Sequence, residues 1–315
     1  MRITAKIHTL QALRAVAAWL VITDHAILEL SHNALSDPAT HLAWTLGSVG
    51  VCLFFVLSGF VMVHISWDSF DLPGVARNFF KRRLVRVVPL YWAATLLALA
   101  YHHVSATHGA DAGWPELALS LAFIPYPGDG HSWTPILPQG WTLSYEMLFY
   151  SIFAISLMRP RGIALSAVAA ILVSFVGVGR FIPEGSLATL ASPIVLWFIL
   201  GMGLAVIWRR MRLFEPSWLL GSARILEPWG DASYSTYLSH GFVLTMLLRL
   251  WTKLVGEPSI WIIPVSLAVA TLFGWLVHIS LERPLLRWFT DRLLRQRDAH
   301  GGFRTAVVPR NVVKG

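Results

Sequence analysis

An all-α, polytopic transmembrane bundle with about 8 to 10 membrane segments and both termini cytoplasmic is the fold class this 315-residue sequence predicts. Three observations carry it. Hydrophobic residues make up 56% of the chain and charged residues 13%, with a mean hydropathy of +0.60, against about 45–50% and 25% in soluble domains. Apolar runs near the roughly 20 residues needed to cross a bilayer recur along the chain. Lys and Arg gather in alternate connections between those runs, the pattern that marks cytoplasmic loops.

The runs are residues 12–30, 44–66, 84–104, 141–158, 162–179, 187–208, 231–251 and 259–281. The first follows basic Arg2 and Lys6 and superficially resembles a secretory leader, but Arg14, Asp24 and His25 interrupt it. A leader's apolar region is uniform, so this run is expected to be a retained helix. A shorter stretch, residues 115–126, is too brief to cross and is expected to be re-entrant or a tilted half-helix inside the bundle. Arg77, Lys81, Arg82 and Arg83, then Arg159 and Arg161, then Arg209, Arg210 and Arg212, and finally residues 283–297 fall on one side if the eight long runs cross. Residues 31–43 contain no Lys or Arg, as an outer loop should. Trp44, Trp141, Trp208 and Trp251 stand at span ends as interfacial anchors. The organisation expected is one membrane-embedded domain over residues 1–297 and a flexible cytoplasmic tail over 298–315.

Composition also excludes classes of function. The net charge of +8 reads as orientation, not as nucleic-acid binding, because the basic residues lie between apolar runs. The lone Cys52 rules out an intramolecular disulfide or a thiolate zinc site, which need at least two sulfurs, and no metal site is expected.

Ionisable groups inside spans are costly and usually mark a site. Arg14 and His25 are 11 residues apart, so they share a helix face with His25 about 16 Å further along the axis. A neutral imidazole there is either a general base or a packing histidine. Arg83 and Arg86 face the same way at a helix mouth, an arrangement suited to gripping phosphate oxygens, although loop anchoring also explains Arg82 and Lys81. Glu146, one turn into the run that opens Trp141-Thr142-Leu143-Ser144, needs a partner such as His25 or an arginine. Tyr234, Tyr237 and His240 recur every three residues as a polar stripe, after a plausible N-cap at Asp231. That stripe serves helix packing or a substrate pocket. Glu282-Arg283-Pro284 is expected to end the last helix at the proline.

Taken in order, Arg14 through His25, the run Gly50 to Phe60, the Arg83/Arg86 pair before Pro89 and Tyr91, Trp141 to Tyr150 with Glu146, Tyr234 to His240, and Glu282-Arg283-Pro284 resemble the acyltransferase-3 family of integral-membrane O-acyltransferases. The form of the Trp141 to Tyr150 run is most similar to the branch that acetylates bacterial exopolysaccharides of the succinoglycan type. The resemblance implies acetyl-CoA, or another acyl-CoA, as donor substrate, no permanently bound cofactor, and a carbohydrate hydroxyl on a lipid-linked or polymeric glycan as acceptor. It implies His25 and Glu146 as catalytic residues, Arg14, Arg83 and Arg86 on the acyl-CoA, and a substrate pocket drawn from Trp141, Ser144, Tyr234, Tyr237 and His240. A bacterial inner-membrane location, contact with membrane lipid, and membership of a polysaccharide-synthesis complex are further expectations. Members often carry a polar residue where Cys52 stands and are described with ten membrane helices, where charge bias here gives eight and a re-entrant segment. The competing class is a flippase or exporter of a polysaccharide precursor using the same buried His, Glu and Arg; the chain shows no internal repeat of the kind many transporters have.

Overall fold

A computed structural model describes residues 8–31, 37–105, 113–127, 133–211, 217–257 and 259–294. The boundary expected at residue 297, the tail beyond it, and Arg2, Lys6 and Arg212 lie outside the described residues. Helices account for nearly all of what is described: α1 (His8–Ser31), α2 (Asp37–Ser66), α3 (Val75–Ser105), α4 (Trp114–Leu121), α5 (Trp141–Ser156), α6 (Arg161–Gly179), α7 (Ser186–Leu190), α8 (Leu196–Arg210), α9 (Ser217–Asp231), α10 (Ser233–Leu254), α11 (Ile262–Val277) and α12 (Arg283–Leu294). Each of the eight long apolar runs contains a helix. Five stretches among the described residues are long and apolar enough to cross a membrane by composition alone, those at Pro38–Ser66, Val75–His103, Arg161–Gly179, Ser186–Arg210 and Ile262–Leu293. The remaining runs, in α1, α5 and α10, carry Arg14, Asp24, His25, Glu146, Tyr234, Tyr237 and His240. The outward faces are apolar, with Ile163, Ile171, Val173, Leu200, Leu204, Leu272 and Phe273 exposed. The chain is a multi-pass integral membrane protein.

Close helix approach is built on glycine. A methyl group on Gly59 would overlap the Phe198 carbonyl, and one on Gly201 would overlap that of Val56, so α2 and α8 meet backbone to backbone. Without a hydrophobic drive between helices in lipid, such van der Waals contact is what holds them. The aromatic core sits beside this seam. Phe198 stacks on Phe55 and on Phe149, with ring centroids 4.6 and 4.2 Å apart.

The basic connections converge on one end of the bundle. The Arg161 guanidinium lies 4.0 Å from the Trp67 ring centroid, Arg209 lies 5.6 Å from the same ring and donates to the His64 carbonyl at 2.8 Å, and the Asp71 amide donates to the Leu157 carbonyl at 2.9 Å. Helix α4 has 8 residues, about 12 Å of rise, and does not cross. It is pinned to α3 by Tyr91, whose hydroxyl donates to the Ser120 carbonyl at 2.9 Å.

The run 187–208 lies within the candidate span Ser186–Arg210, where a 3-10 turn at Pro193–Val195 separates α7 from α8, with Ser192 capping it, because Pro193 has no N–H to continue the preceding turn. Two expectations are corrected. Asp231 does not cap α10. It ends α9, an amphipathic helix that the span count passed over, and Ala232 occupies the cap. Pro284 does not stop the last helix: a π-turn at His278–Glu282 joins α11 directly to α12, placing the proline in the first turn of α12, where a missing N–H is tolerated.

Candidate active site in the bundle interior

α1, α2, α3, α5 and α10 enclose a cavity of about 90 Å³. Arg14, Arg83, Arg86, Glu146, Tyr234 and Tyr237, all singled out from sequence, line it together with Ser58, Tyr150, Thr142, Ser233 and a wall of Val51, Phe54, Phe55 and Met62. Helical spacing explains the gathering. Arg83 and Arg86 project together from α3, Glu146 and Tyr150 lie one turn apart on α5, and Tyr234 and Tyr237 lie one turn apart on α10.

The cations in this cavity are largely unspent. The Arg14 Nε donates to Ser233 at 3.2 Å. Arg83 rests over the Phe79 ring at 5.7 Å, and its buried Nε has no partner among the described residues. Each guanidinium carries five N–H donors, and Ser233 is the protein acceptor they meet among the described residues. Glu146 shares the electrostatic field of Arg14, Arg83 and Arg86. Its hydrogen-bond donor, however, is the Tyr150 hydroxyl at 3.0 Å, which also meets the Ser58 hydroxyl at 3.1 Å. Buried charge of one sign in a low-dielectric wall favours a ligand of the opposite sign.

Glu282, expected to make a structural helix end, proves to be buried beside this cluster. It accepts from Ser235 at 2.6 Å and lies 2.7 Å from His278 Nδ1, while Arg283 Nε is 3.2 Å from His278 Nε2. Arg14 and Arg86 both feel its charge. His278 escaped the sequence reading because it stands alone in an apolar run; only its four-residue spacing from Glu282 signalled the pair.

His25 sits apart from the cavity lining, beside His240. Their rings meet edge to face with centroids 4.9 Å apart and planes at 82°. The Nδ1 atom of His240 lies 2.6 Å from the Tyr237 carbonyl, and its Nε2 is buried without a described partner. Tyr237 connects the two places: it lines the cavity, shares a 2.9 Å hydrogen bond with Thr142, and its ring centroid is 5.7 Å from that of His240. The carboxylate within ion-pair distance of His25 is Asp24, at 3.3 Å, whereas Glu146 is held on Tyr150. Trp141 and Ser144 do not line the cavity. Trp141 packs edge-on against Tyr145 at 5.8 Å, and the Ser144 hydroxyl is buried without a described partner. Cys52 is half-buried on α2 and also lies off the cavity lining. No cluster of three or more His, Cys, Asp or Glu able to hold a metal occurs among the described residues.

A membrane bundle with an interior cationic cavity and an imidazole pair joined to it through a tyrosine has the polar interior of a membrane-embedded enzyme. The chain belongs to the acyltransferase-3 family, whose profile, described as an acyltransferase domain, matches residues 7–183. That match contains Arg14, His25, Arg83, Arg86 and Glu146. Among similar proteins are the exopolysaccharide production protein ExoZ of Rhizobium meliloti (strain 1021), 33% identical over 78% of this chain and 91% of the relative, and the acyltransferase MdmB of Streptomyces mycarofaciens, 25% identical over 90% and 92%. No solved structure matches. The protein is a membrane O-acyltransferase.

Proposed function

We propose that this enzyme moves an acetyl or other acyl group from cytoplasmic acyl-CoA to a hydroxyl of an exopolysaccharide or other cell-surface glycan, in the bacterial inner membrane. The observation that carries the donor is the Arg14/Arg83/Arg86 cavity, whose donors are not used up by protein partners. A coenzyme thioester is a polyanion, and guanidinium forks suit its phosphate oxygens. The cavity is too small for the whole coenzyme and takes a phosphoryl group or the end of the thioester arm. The acceptor reading draws on ExoZ, whose name concerns exopolysaccharide production. It also draws on a second cavity, of about 320 Å³, at the end of the bundle opposite the basic loops, lined by Trp133, Glu184, Gly185, Ala188 and Thr189. An indole face and a carboxylate that accepts from hydroxyls are the elements with which a protein holds a sugar ring.

The chemistry follows from the groups present. The Nε2 atom of His25 takes the proton of the acceptor hydroxyl, and the oxygen attacks the thioester carbonyl. The new C–O bond forms as the C–S bond breaks, and the leaving thiolate recovers the proton from the imidazolium. A thioester already has a good leaving group, so positioning supplies much of the acceleration. No permanently bound cofactor enters the scheme.

Titration of acetyl-CoA into the purified protein in nanodiscs tests the donor site. Arg83→Ala and Arg86→Ala are expected to weaken binding by about ten-fold or more each, the loss of a charge-assisted contact. Unchanged affinity in both would return these residues to topology anchoring and reopen the flippase reading.

A further inference from the structure

We propose that Asp24 is the positioning residue of His25, holding the imidazole in the orientation that its use as a base requires and standing ready beside the cation it forms, in a slot that α2 leaves open for it at Gly47. This rests on the reading of His25 as the general base.

The backbone geometry fixes where the proton sits. His25 Nδ1 lies 2.9 Å from the carbonyl of Val21, one turn earlier on α1. A carbonyl only accepts, so Nδ1 carries the hydrogen. Nε2 is therefore left with its lone pair, and no described residue bonds it. The Asp24 Oδ2 atom lies 3.3 Å from the same Nδ1, within ion-pair distance. The two side chains differ sharply in exposure, 44% for His25 and 8% for Asp24. The imidazole is thus partly exposed while its carboxylate is buried against the facing helix.

Helix packing alone does not account for that carboxylate. A buried charge needs compensation, yet Asp24 Oδ1 accepts no hydrogen bond from a described residue. The facing helix is cut away around it: a methyl group on Gly47 would overlap the Asp24 carboxylate. One turn on, Gly50 brings α2 against the Ala17 carbonyl and Val21. The seam therefore closes tightly on either side of Val21 while leaving a niche the size of one carboxylate. On the other side, His240 meets the His25 ring edge to face. An imidazole so held needs no reorganisation when Nε2 takes a proton, and the cation formed finds Asp24 already in place.

The test is steady-state acetyl transfer from radiolabelled acetyl-CoA to alkali-de-esterified exopolysaccharide of the producing cells, with the full-length protein in nanodiscs. Asp24→Asn keeps the shape and removes the charge; kcat is expected to fall roughly a hundred-fold, with the KM for acetyl-CoA within about two-fold of wild type. Gly47→Ala, which displaces the carboxylate without touching it chemically, should reproduce the kcat loss and stands in if Asp24→Asn does not fold. Wild-type kcat in a folded Asp24→Asn, or in Gly47→Ala where that substitutes for it, overturns the proposal. His25→Ala is run alongside: if it is fully active, the reading of His25 as base fails, whereas an inactive His25→Ala with a fully active Asp24→Asn rejects the positioning role alone.

Discussion

At the residue scale, the cavity contains more cationic than anionic charge, and its acid is tied to a phenol. Glu146 accepts from Tyr150, which in turn meets Ser58, so the carboxylate is placed by α5 itself and not by the arginines. This separates its effect on binding from theirs. Glu146→Gln removes the negative charge that an incoming polyanion must approach, and calorimetric titration of acetyl-CoA should show affinity equal to or tighter than wild type, with a lower transfer rate. Weaker donor binding in Glu146→Gln would mean that the acid contacts the donor directly. Cys52 is off the cavity lining and behaves as a small apolar residue. Cys52→Ala is expected to retain wild-type transfer, and loss of activity with His25 intact would point to an acyl-enzyme on sulfur.

At the element scale, the site depends on α2, which packs on α1 through Gly47 and Gly50 and on α8 through Gly59 and Gly201. Gly201→Leu would drive a side chain into the Val56 carbonyl, overpacking of the kind that costs about 1–3 kcal/mol. Its melting temperature in detergent should fall, and donor affinity should fall with it, because α2 supplies Val51, Phe54, Phe55 and Ser58 to the cavity. The sequence shows the spans and most of the cavity well, for a physical reason: a charge in an apolar run is rare and stands out. Arg14, Arg83, Arg86 and Glu146 were legible in that way and do converge. What stayed hidden was pairing across helices. Glu146 could be matched with His25 or an arginine by residue type, and the structure gives it Tyr150; Asp24 stands out in sequence only as a polar residue within the first run, and its niche at Gly47 is formed by a different helix. The π-turn was equally invisible, since Pro284 signals a stop unless the turn before it widens.

At the scale of the whole molecule, the two cavities lie toward different ends. The connections rich in arginine gather where α2, α5 and α8 end and α6 begins, and the Trp133/Glu184 cavity opens where α5 and α8 begin. If basic connections remain cytoplasmic, the arginine-lined cavity lies toward the cytoplasmic end of the bundle and the Trp133/Glu184 cavity toward the other face. In a Cys52→Ala background, Glu184→Cys should react with a membrane-impermeant maleimide on intact spheroplasts, and Arg159→Cys only after lysis. The reverse pattern would invert the orientation.

The most direct measurement of the role of His25 is transfer of labelled acetyl from acetyl-CoA to the polysaccharide by reconstituted His25→Ala. Transfer should be lower by about a hundred-fold or more in a protein that still folds and binds acetyl-CoA as wild type does; undiminished transfer would contradict the role of His25 as base.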